Sequence, residues 1–332
     1  MTRSADDPAV DVLARAIADR TEDAGRSLIV GDPGETLADV LGDAARWDRH
    51  ATGAGTATAF PPDGPFDTVA LRLPKGRESL RMALHWLGAR LAPGGRLWLA
   101  GANDEGVRSA RTRLEEVFTD VEDVDARRHC RVYRAGGPRP DLLGAPEPWL
   151  ESFDAGDLRW QAWPGTFAHG RIDDGTALLI STLPQIAGWE GDPLRRVLDL
   201  GCGVGILGLA IRRLRPDGAL DLVDHDALAV EAAQRNLPGA SAWVSDGLAR
   251  YPGSDLPLVM SNPPFHAGVA TALGLPARLM AETATRIARG GSVVAVVPRT
   301  IAPQGLFPAK LGRPELLAED GRYRVWRARR TS

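Results

Sequence analysis

Asn262-Pro263-Pro264-Phe265 is a set of residue types able to manage a planar, poorly nucleophilic –NH2 group. Asn262 offers a side-chain carbonyl that accepts and an amide that donates. Two successive prolines fix φ at about −65° and remove two backbone donors. Each also forces the residue before it out of the helical region. The carbonyls of so stiff a turn project outward with no N–H beside them. Asn262 and the turn can therefore accept both hydrogens of an –NH2 group and aim its lone pair at an electrophilic methyl group, while Phe265 offers a flat face to a ring. Asn-Pro alone is a common turn initiator, so the meaning of this turn depends on what stands upstream.

Upstream stands Asp199-Leu200-Gly201-Cys202-Gly203-Val204-Gly205. Arg196 to Leu200 reads as a buried strand and Ile206 to Leu214 as an apolar-periodic helix. Glycines are required where a strand turns sharply into a helix and a ligand touches backbone. Asp199 sits just before the turn, where its carboxylate can meet a cationic ligand group. A second strand, Leu220 to Val223, ends in Asp224, placed to accept from ribose hydroxyls. A third, Ala242 to Ser245, ends in Asp246, beside where an adenine amino group would lie. Leu256 to Met260 is the strand that delivers Asn262. Gly203, Gly205 and Gly208 also satisfy G-x-G-x-x-G, as in nicotinamide-binding folds, but that reading leaves Asp199 and the Asn-Pro-Pro-Phe turn unexplained.

The ordered set resembles the class I S-adenosylmethionine-dependent methyltransferases. The resemblance implies that Asp199, Gly201, Cys202, Gly203 and Gly205 line the methionine part of S-adenosylmethionine, that Asp224 binds the ribose and Asp246 the adenine edge, and that Asn262 borders both cofactor and substrate. Phe167 to Thr176 is expected to fold over the cofactor. Gly175-Thr176 opens a helix that runs to Leu183, and its N–H groups suit a carboxylate. Equally, Gly175 can serve only to start that helix.

The elements that must position these residues fit easily in 332 residues, enough for two domains, with 44% hydrophobic residues to build cores. No apolar run is long enough to span a bilayer, and the N-terminus lacks the apolar stretch of a signal peptide. Asp7 and Pro8 instead look like an N-cap and first turn, with Val10, Leu13 and Ile17 on one face. Cys130 and Cys202 make no disulfide framework, and the six histidines show no metal-ligand spacing. A soluble cytoplasmic protein without a metal is expected. The net charge of −3 does not announce nucleic-acid binding. Arginines nonetheless cluster at Arg127, Arg128, Arg131 and Arg134 and again at Arg322, Arg324, Arg327, Arg329 and Arg330, where they could meet phosphate or form a solvated surface.

The chain also repeats itself. Phe66 to Lys75 parallels Leu256 to Pro264. Pro93-Gly94-Gly95 and the strand Arg96 to Ala100 parallel Gly290-Gly291 and Ser292 to Val297. Arg131-Val-Tyr-Arg-Ala135 and Arg324-Val-Trp-Arg-Ala328 close the two halves, each as the last strand of an antiparallel hairpin. The expected fold is α/β: two tandem Rossmann-like class I methyltransferase domains, each a mostly parallel sheet with an antiparallel terminal hairpin. The expected boundaries are a degenerate domain over 1–135 that holds no cofactor, a Pro/Gly-rich linker over 136–148, and a catalytic domain over 149–332. In the first copy Gly31-Asp-Pro-Gly34 keeps part of the glycine loop, Leu73 stands in the place of Asn262, and Lys75 replaces the second proline.

Further stretches are similar to one family, the bacterial 16S ribosomal RNA guanine-N2 methyltransferases that act on small subunits. They are Pro164-Gly-Thr-Phe167, Arg171-Ile-Asp-Asp-Gly175 through Leu183, Leu73-Pro-Lys-Gly-Arg-Glu78, Gly106 to Ala110, Asp125 to Arg128 and Gly321 to Ala328. The likeness runs in order from about residue 26 to 330. Ala267 departs from it, since an acidic residue is expected after Asn-Pro-Pro-Phe-His. What the resemblance implies is methyl transfer to the exocyclic N2 of a guanine, with Asn262, Pro263, Pro264 and Phe265 catalytic, and with Phe265, His266, Phe167 and Arg324 touching substrate. The implied partner is ribosomal RNA, within the 30S subunit, bound by a monomer with no membrane involved. Large-subunit guanine methyltransferases, protein glutamine methyltransferases and a non-enzymatic assembly factor are the alternatives.

Overall fold

Asp7 caps the first helix as its position before Pro8 predicts: its carboxylate accepts from the Ala9 N–H at 2.9 Å. Helix α1 (Pro8–Ala18) buries Val10, Leu13 and Ile17, the face their spacing defines. The computed structural model describes residues 7–331 apart from 22, 33, 54, 187–195 and 266–273. Two units emerge, residues 1–49 with 60–150, and residues 50–59 with 151–332.

In the first unit α1 is followed by β1 (Ser27–Val30), α2 (Thr36–Leu41), β2 (Ala45–Trp47), β3 (Phe66–Arg72), α3 (Arg77–Gly88), β4 (Leu91–Ala102), α4 (Val107–Val117), β5 (Phe118–Arg127) and β6 (Cys130–Pro138). The sheet order is β2-β1-β3-β4-β6-β5, parallel up to β4 and antiparallel beyond it. Helices α1 and α2 pack on Ile29, Ala70, Trp98, Ala100 and Val132. The residues that alternate with these, Leu28, Val69, Leu71, Leu97 and Leu99, are equally buried, so both faces of the sheet are covered. At the end of β3 the Arg72 guanidinium pairs with Asp7 and Glu105, each at 2.7 Å.

The second unit opens with a hairpin, β7 (Glu151–Ala155) and β8 (Leu158–Ala162), before α5 (Asp174–Ser181). Then come β9 (Val197–Leu200), α6 (Ile206–Leu214), β10 (Leu220–Asp224), α7 (Ala227–Asn236), β11 (Ser241–Val244), β12 (Leu256–Ser261), α8 (Gly274–Arg286), β13 (Ile287–Pro298), β14 (Glu315–Glu319) and β15 (Tyr323–Arg329). The sheet order is β11-β10-β9-β12-β13-β15-β14, with β15 antiparallel to both neighbours. One core face joins Leu179, Leu207 and Ile211 to Val197 and Met260; the other joins Leu279, Met280 and Ala284 to Leu198, Val259 and Val297. The order reverses at β9, so the carboxyl ends of β9, β10 and β12 stand at the switch point, the usual ligand position in open α/β sheets.

The two sheets share irregularities. The parallel register slips between Phe66 and Thr68 in β3 and between Leu256 and Leu258 in β12. A Cβ added at Gly95 would lie 2.8 Å from the Phe66 carbonyl oxygen, and one at Gly291 would lie 2.8 Å from that of Leu256. Neither glycine can be replaced without moving backbone.

The boundaries differ from those expected. Strand β6 continues to Pro138, with Gly136 opposite Asp120 and Pro138 opposite Phe118, so the first three residues of the expected linker extend the ladder between β6 and β5. Gly136 and Gly137 look like linker residues in sequence, yet a glycine inside a strand leaves room for a neighbour; here the Arg96 side chain fills the place of a Cβ on Gly136. Residues 50–59, expected within the first domain, group with the second unit.

Candidate active site

The glycine loop forms as a tight turn between β9 and α6. Gly201 and Cys202 both donate their N–H to the Val223 carbonyl, at 2.8 and 3.0 Å, which ties the loop to β10. Gly205 adopts φ +88° as it starts α6, a conformation that suits glycine. Gly208 allows close packing: a Cβ there would sit 2.7 Å from the Leu237 side chain. Cys202 is buried, and burial pushes its thiol pKa up, which argues against a nucleophile.

Asp199 is 1% exposed at the centre of the sheet end, and its Oδ2 has no hydrogen-bond partner among the described residues. Burial, reinforced by the Asp224 charge, pushes its pKa up to about 8. Asp224 goes the other way. Burial opposes its ionisation, but hydrogen bonding from His225 and from backbone N–H groups outweighs this and lowers its pKa. The Asp224 Oδ2 accepts from Gly203 N–H at 2.8 Å and Oδ1 from Asp226 N–H at 2.9 Å, with the His225 Nδ1 at 3.1 Å. Asp246 follows β11 and is held by an ion pair with Arg278 and by the Gly53 N–H at 2.8 Å, which keep its pKa low against the cost of burial.

Asn262 lies directly after β12. The buried Ser261 hydroxyl donates to the Leu200 carbonyl at 2.7 Å, so the ends of β12 and β9 are stitched together and Asn262 stands beside Gly201. The Asn262 Nδ2 donates to the Asp173 carboxylate at 3.0 Å and to the Thr176 hydroxyl at 2.9 Å. A carboxylate only accepts, so the amide nitrogen must face Asp173 and the amide oxygen must face away from it. Asp173 also caps α5, accepting from Gly175 N–H at 3.0 Å and Thr176 N–H at 3.3 Å. Gly175 brings the two together: a Cβ on it would stand 3.1 Å from Asp173 Oδ2 and 3.4 Å from Asn262 Oδ1.

Pro263 is buried, and Pro264 and Phe265 are half-buried, with Phe265 packed at the margin of the core on the α8 side. Phe167 is 52% exposed. Arg324 pairs with Glu319 on the neighbouring strand at 3.0 Å, while Arg322, two residues earlier, reaches Asp174 at the start of α5. His266 and Ala267 lie outside the described residues. The arginine clusters meet acids: Arg134 pairs with Glu122 at 2.6 Å, Arg128 with Asp11 at 2.7 Å and Arg327 with Glu315 at 2.6 Å. Asp173 was not singled out from the sequence. Its signal is the Asp-x-Gly step just before a helix, an N-cap pattern whose second task only the fold reveals.

Among the described residues no three His, Cys, Asp or Glu side chains are grouped to hold a metal, and no helix is long and apolar enough to cross a membrane.

A glycine loop at the sheet's reversal point, acids at the ends of β9, β10 and β11, and Asn-Pro-Pro-Phe after β12 define a class I S-adenosylmethionine-dependent methyltransferase. Residues 157–327 match the family model of the methyltransferase small domain, and residues 36–149 match that of its N-terminal domain. A Pseudomonas aeruginosa ribosomal RNA small subunit methyltransferase C is 34% identical, over 98% of this chain and all of the relative. One from Hahella chejuensis is 31% identical over 92% of this chain and 94% of the relative. A T. thermophilus 16S rRNA N2 methyltransferase, solved with AdoMet and guanosine, superposes with a TM-score of 0.84 at 25% identity, covering 99% of this chain and 93% of that one. The chain belongs to the ribosomal RNA small subunit methyltransferase C family and is an enzyme of methyl transfer.

Proposed function

We propose that this enzyme transfers a methyl group from S-adenosylmethionine to the exocyclic N2 of a guanine in 16S ribosomal RNA of the small subunit. The observation that carries the reading is the anchored Asn262: its amide N–H groups are engaged by Asp173 and Thr176, which leaves its side-chain carbonyl as an acceptor, on a residue whose backbone stands beside a cofactor-type glycine loop. The T. thermophilus relative with guanosine bound supports the choice of base.

The described residues fit the cofactor. The unpartnered Asp199 oxygen calls for a donor, which the cationic amino group of a methionine moiety supplies. Asp224 keeps acceptor capacity for a ribose hydroxyl, since its Oδ2 takes one N–H and a carboxylate oxygen has two lone pairs. Gly201, Cys202, Gly203 and Gly205 would line the methionine side with Gly175 and Thr176, and Asp246 the adenine edge. When bound, S-adenosylmethionine supplies an electrophilic methyl on a sulfonium.

The guanine amino group is delocalised into its ring and barely nucleophilic. In this reading Asn262 Oδ1 and the Pro263 carbonyl accept its two hydrogens and localise the lone pair. Pro264 keeps the turn stiff, and Phe265 stacks on the base, with Phe167, His266 and Arg324 as further substrate contacts. Rate comes chiefly from orientation and fixed dipoles. A paired guanine cannot present this edge, so the base is unstacked or already splayed.

We infer that the first unit is a degenerate copy of the second, lacking a cofactor. The shared register slip and the paired Gly95 and Gly291 support duplication, and the Arg72 network occupies the strand end where the second unit carries its chemistry. The reading implies a cytoplasmic monomer that meets no membrane.

The test is transfer of radiolabelled methyl to undermethylated 30S subunits, 50S subunits and bulk protein, followed by nucleoside analysis. N2-methylguanosine in the 30S sample is expected. Label only in 50S or only in protein would overturn the substrate assignment.

Asp199 adds a pH signature. Its pKa near 8 in the ligand-free enzyme means that it is mostly protonated at pH 6 to 7 and must ionise to receive a cation. Binding then releases a proton, and affinity rises as pH climbs toward 8. Titration calorimetry with S-adenosylhomocysteine at pH 6, 7 and 8, in buffers of different ionisation heat, should show this. Asp199→Asn should bind more weakly and lose the proton release.

A further inference from the structure

Residues 50–59 come from the first half of the sequence yet pack with the second unit, and their contacts fall at one place. His50 forms an antiparallel bridge with Asp226. The Ala51 N–H donates to the His225 carbonyl at 2.8 Å. The His50 and His225 rings lie 5.1 Å apart at an angle of 31°. The Gly53 N–H donates to Asp246 Oδ2 at 2.8 Å. These residues thus run along the turn after β10 and reach the acid after β11, two points assigned above to ribose and adenine.

The chemistry at Asp246 says what such a strap does. An acid that recognises an adenine amino group must be held ionised and still. Arg278 grips Oδ1 and the Gly53 N–H grips Oδ2, so both oxygens are fixed, and each retains a second lone pair. Asp246 is thereby kept a carboxylate, its pKa lowered by these two partners. His225 is similarly steadied, by the Asp224 carboxylate on its ring and by Ala51 on its backbone.

We infer that His50–Gly53 is the outer wall of the adenosine end of the cofactor site, with Gly53 positioning Asp246 and His50 steadying His225. The inference rests on the cofactor placement proposed above. It gives the first half of the chain a part in binding the methyl donor, separate from any contact with RNA.

The test uses the full chain with two changes, Gly53→Pro and His50→Ala. Gly53 sits at φ +56°, which proline cannot adopt, so Gly53→Pro removes both the N–H and the local path of the strap. Calorimetry would be run with S-adenosylhomocysteine and with 5′-methylthioadenosine, which has the adenosine but lacks the amino-acid end. Gly53→Pro should raise both dissociation constants by about tenfold, because Asp246 is no longer held toward the adenine and the ligand loses one hydrogen bond to a charged group. His50→Ala should raise both by a smaller but equal factor, and the ligand-free melting temperature should stay within about 2 °C of wild type for both variants. Unchanged affinities, tighter binding, or a loss confined to S-adenosylhomocysteine would each overturn the wall. Failure of the unmodified enzyme to bind either ligand would be a different result, one that overturns the cofactor placement itself.

Discussion

Asn262→Ala is expected to lower kcat by about 10²–10³, the range for removing one fixed polar group aimed at transition-state charge, while the dissociation constant for S-adenosylhomocysteine stays within a few-fold of wild type. The expectation follows from the amide's setting. Its nitrogen is committed to Asp173 and Thr176, and its oxygen is left for the substrate. Single-turnover methylation of 30S subunits together with calorimetry separates the two parameters. An equal loss in cofactor binding would show that Asn262 acts on the cofactor instead. Asp173 supplies the second arm. Asp173→Ala frees the amide to rotate and should cost much of the same rate with Asn262 still present. It also removes an N-cap, a loss of about 1 kcal/mol that a melting curve would report. If Asp173 acts through Asn262, the double variant should be hardly slower than Asn262→Ala alone; simple multiplication of the two losses would refute the coupling.

Asp224→Ala is expected to do the reverse, weakening the cofactor first. It deletes the proposed ribose acceptor and also the anchor for the Gly203 N–H, whose loss loosens the glycine loop. Two hydrogen bonds to a charged group amount to about 3 kcal/mol, or roughly 10²-fold in affinity. At saturating S-adenosylmethionine most of kcat should return. A kcat that stays low at saturation would mean that Asp224 contributes to the methyl-transfer step.

The strand–loop–helix from Val197 to Leu214 and the turn after β12 were legible because their signals are local. Apolar runs bounded by glycine or proline leave few alternatives. The shared demand at Gly95 and Gly291 was legible too, since each follows a glycine and precedes an apolar strand in sequence. The grip on Asn262 was not legible: Asp173 is 89 residues away, and nothing local joins them. Nor was the strap. Ala51 to Ala59 is a run of alanine, glycine and threonine that reads as a bland loop, and its contact at Asp246 spans 193 residues. Gly136 and Gly137 misled for the opposite reason. Their composition signals a linker, but the pairing partner, Asp120, decides their state. The arginine clusters left phosphate contact and a solvated surface both open, because the acids facing them, such as Glu122 opposite Arg134, lie on another strand.

On the duplication proposed above, Gly95 and Gly291 make this molecule its own control experiment. Each is held by the same carbonyl clash, at 2.8 Å, in a unit of similar sheet order, but only one unit carries the Asn-Pro-Pro-Phe turn. A saturation library scored for N2-methylguanosine in small-subunit RNA would therefore sort requirements without reference to any other sequence. Positions intolerant in both halves report the architecture. Positions intolerant only in the second, with Asn262 against Leu73 as the sharpest pair, report the reaction.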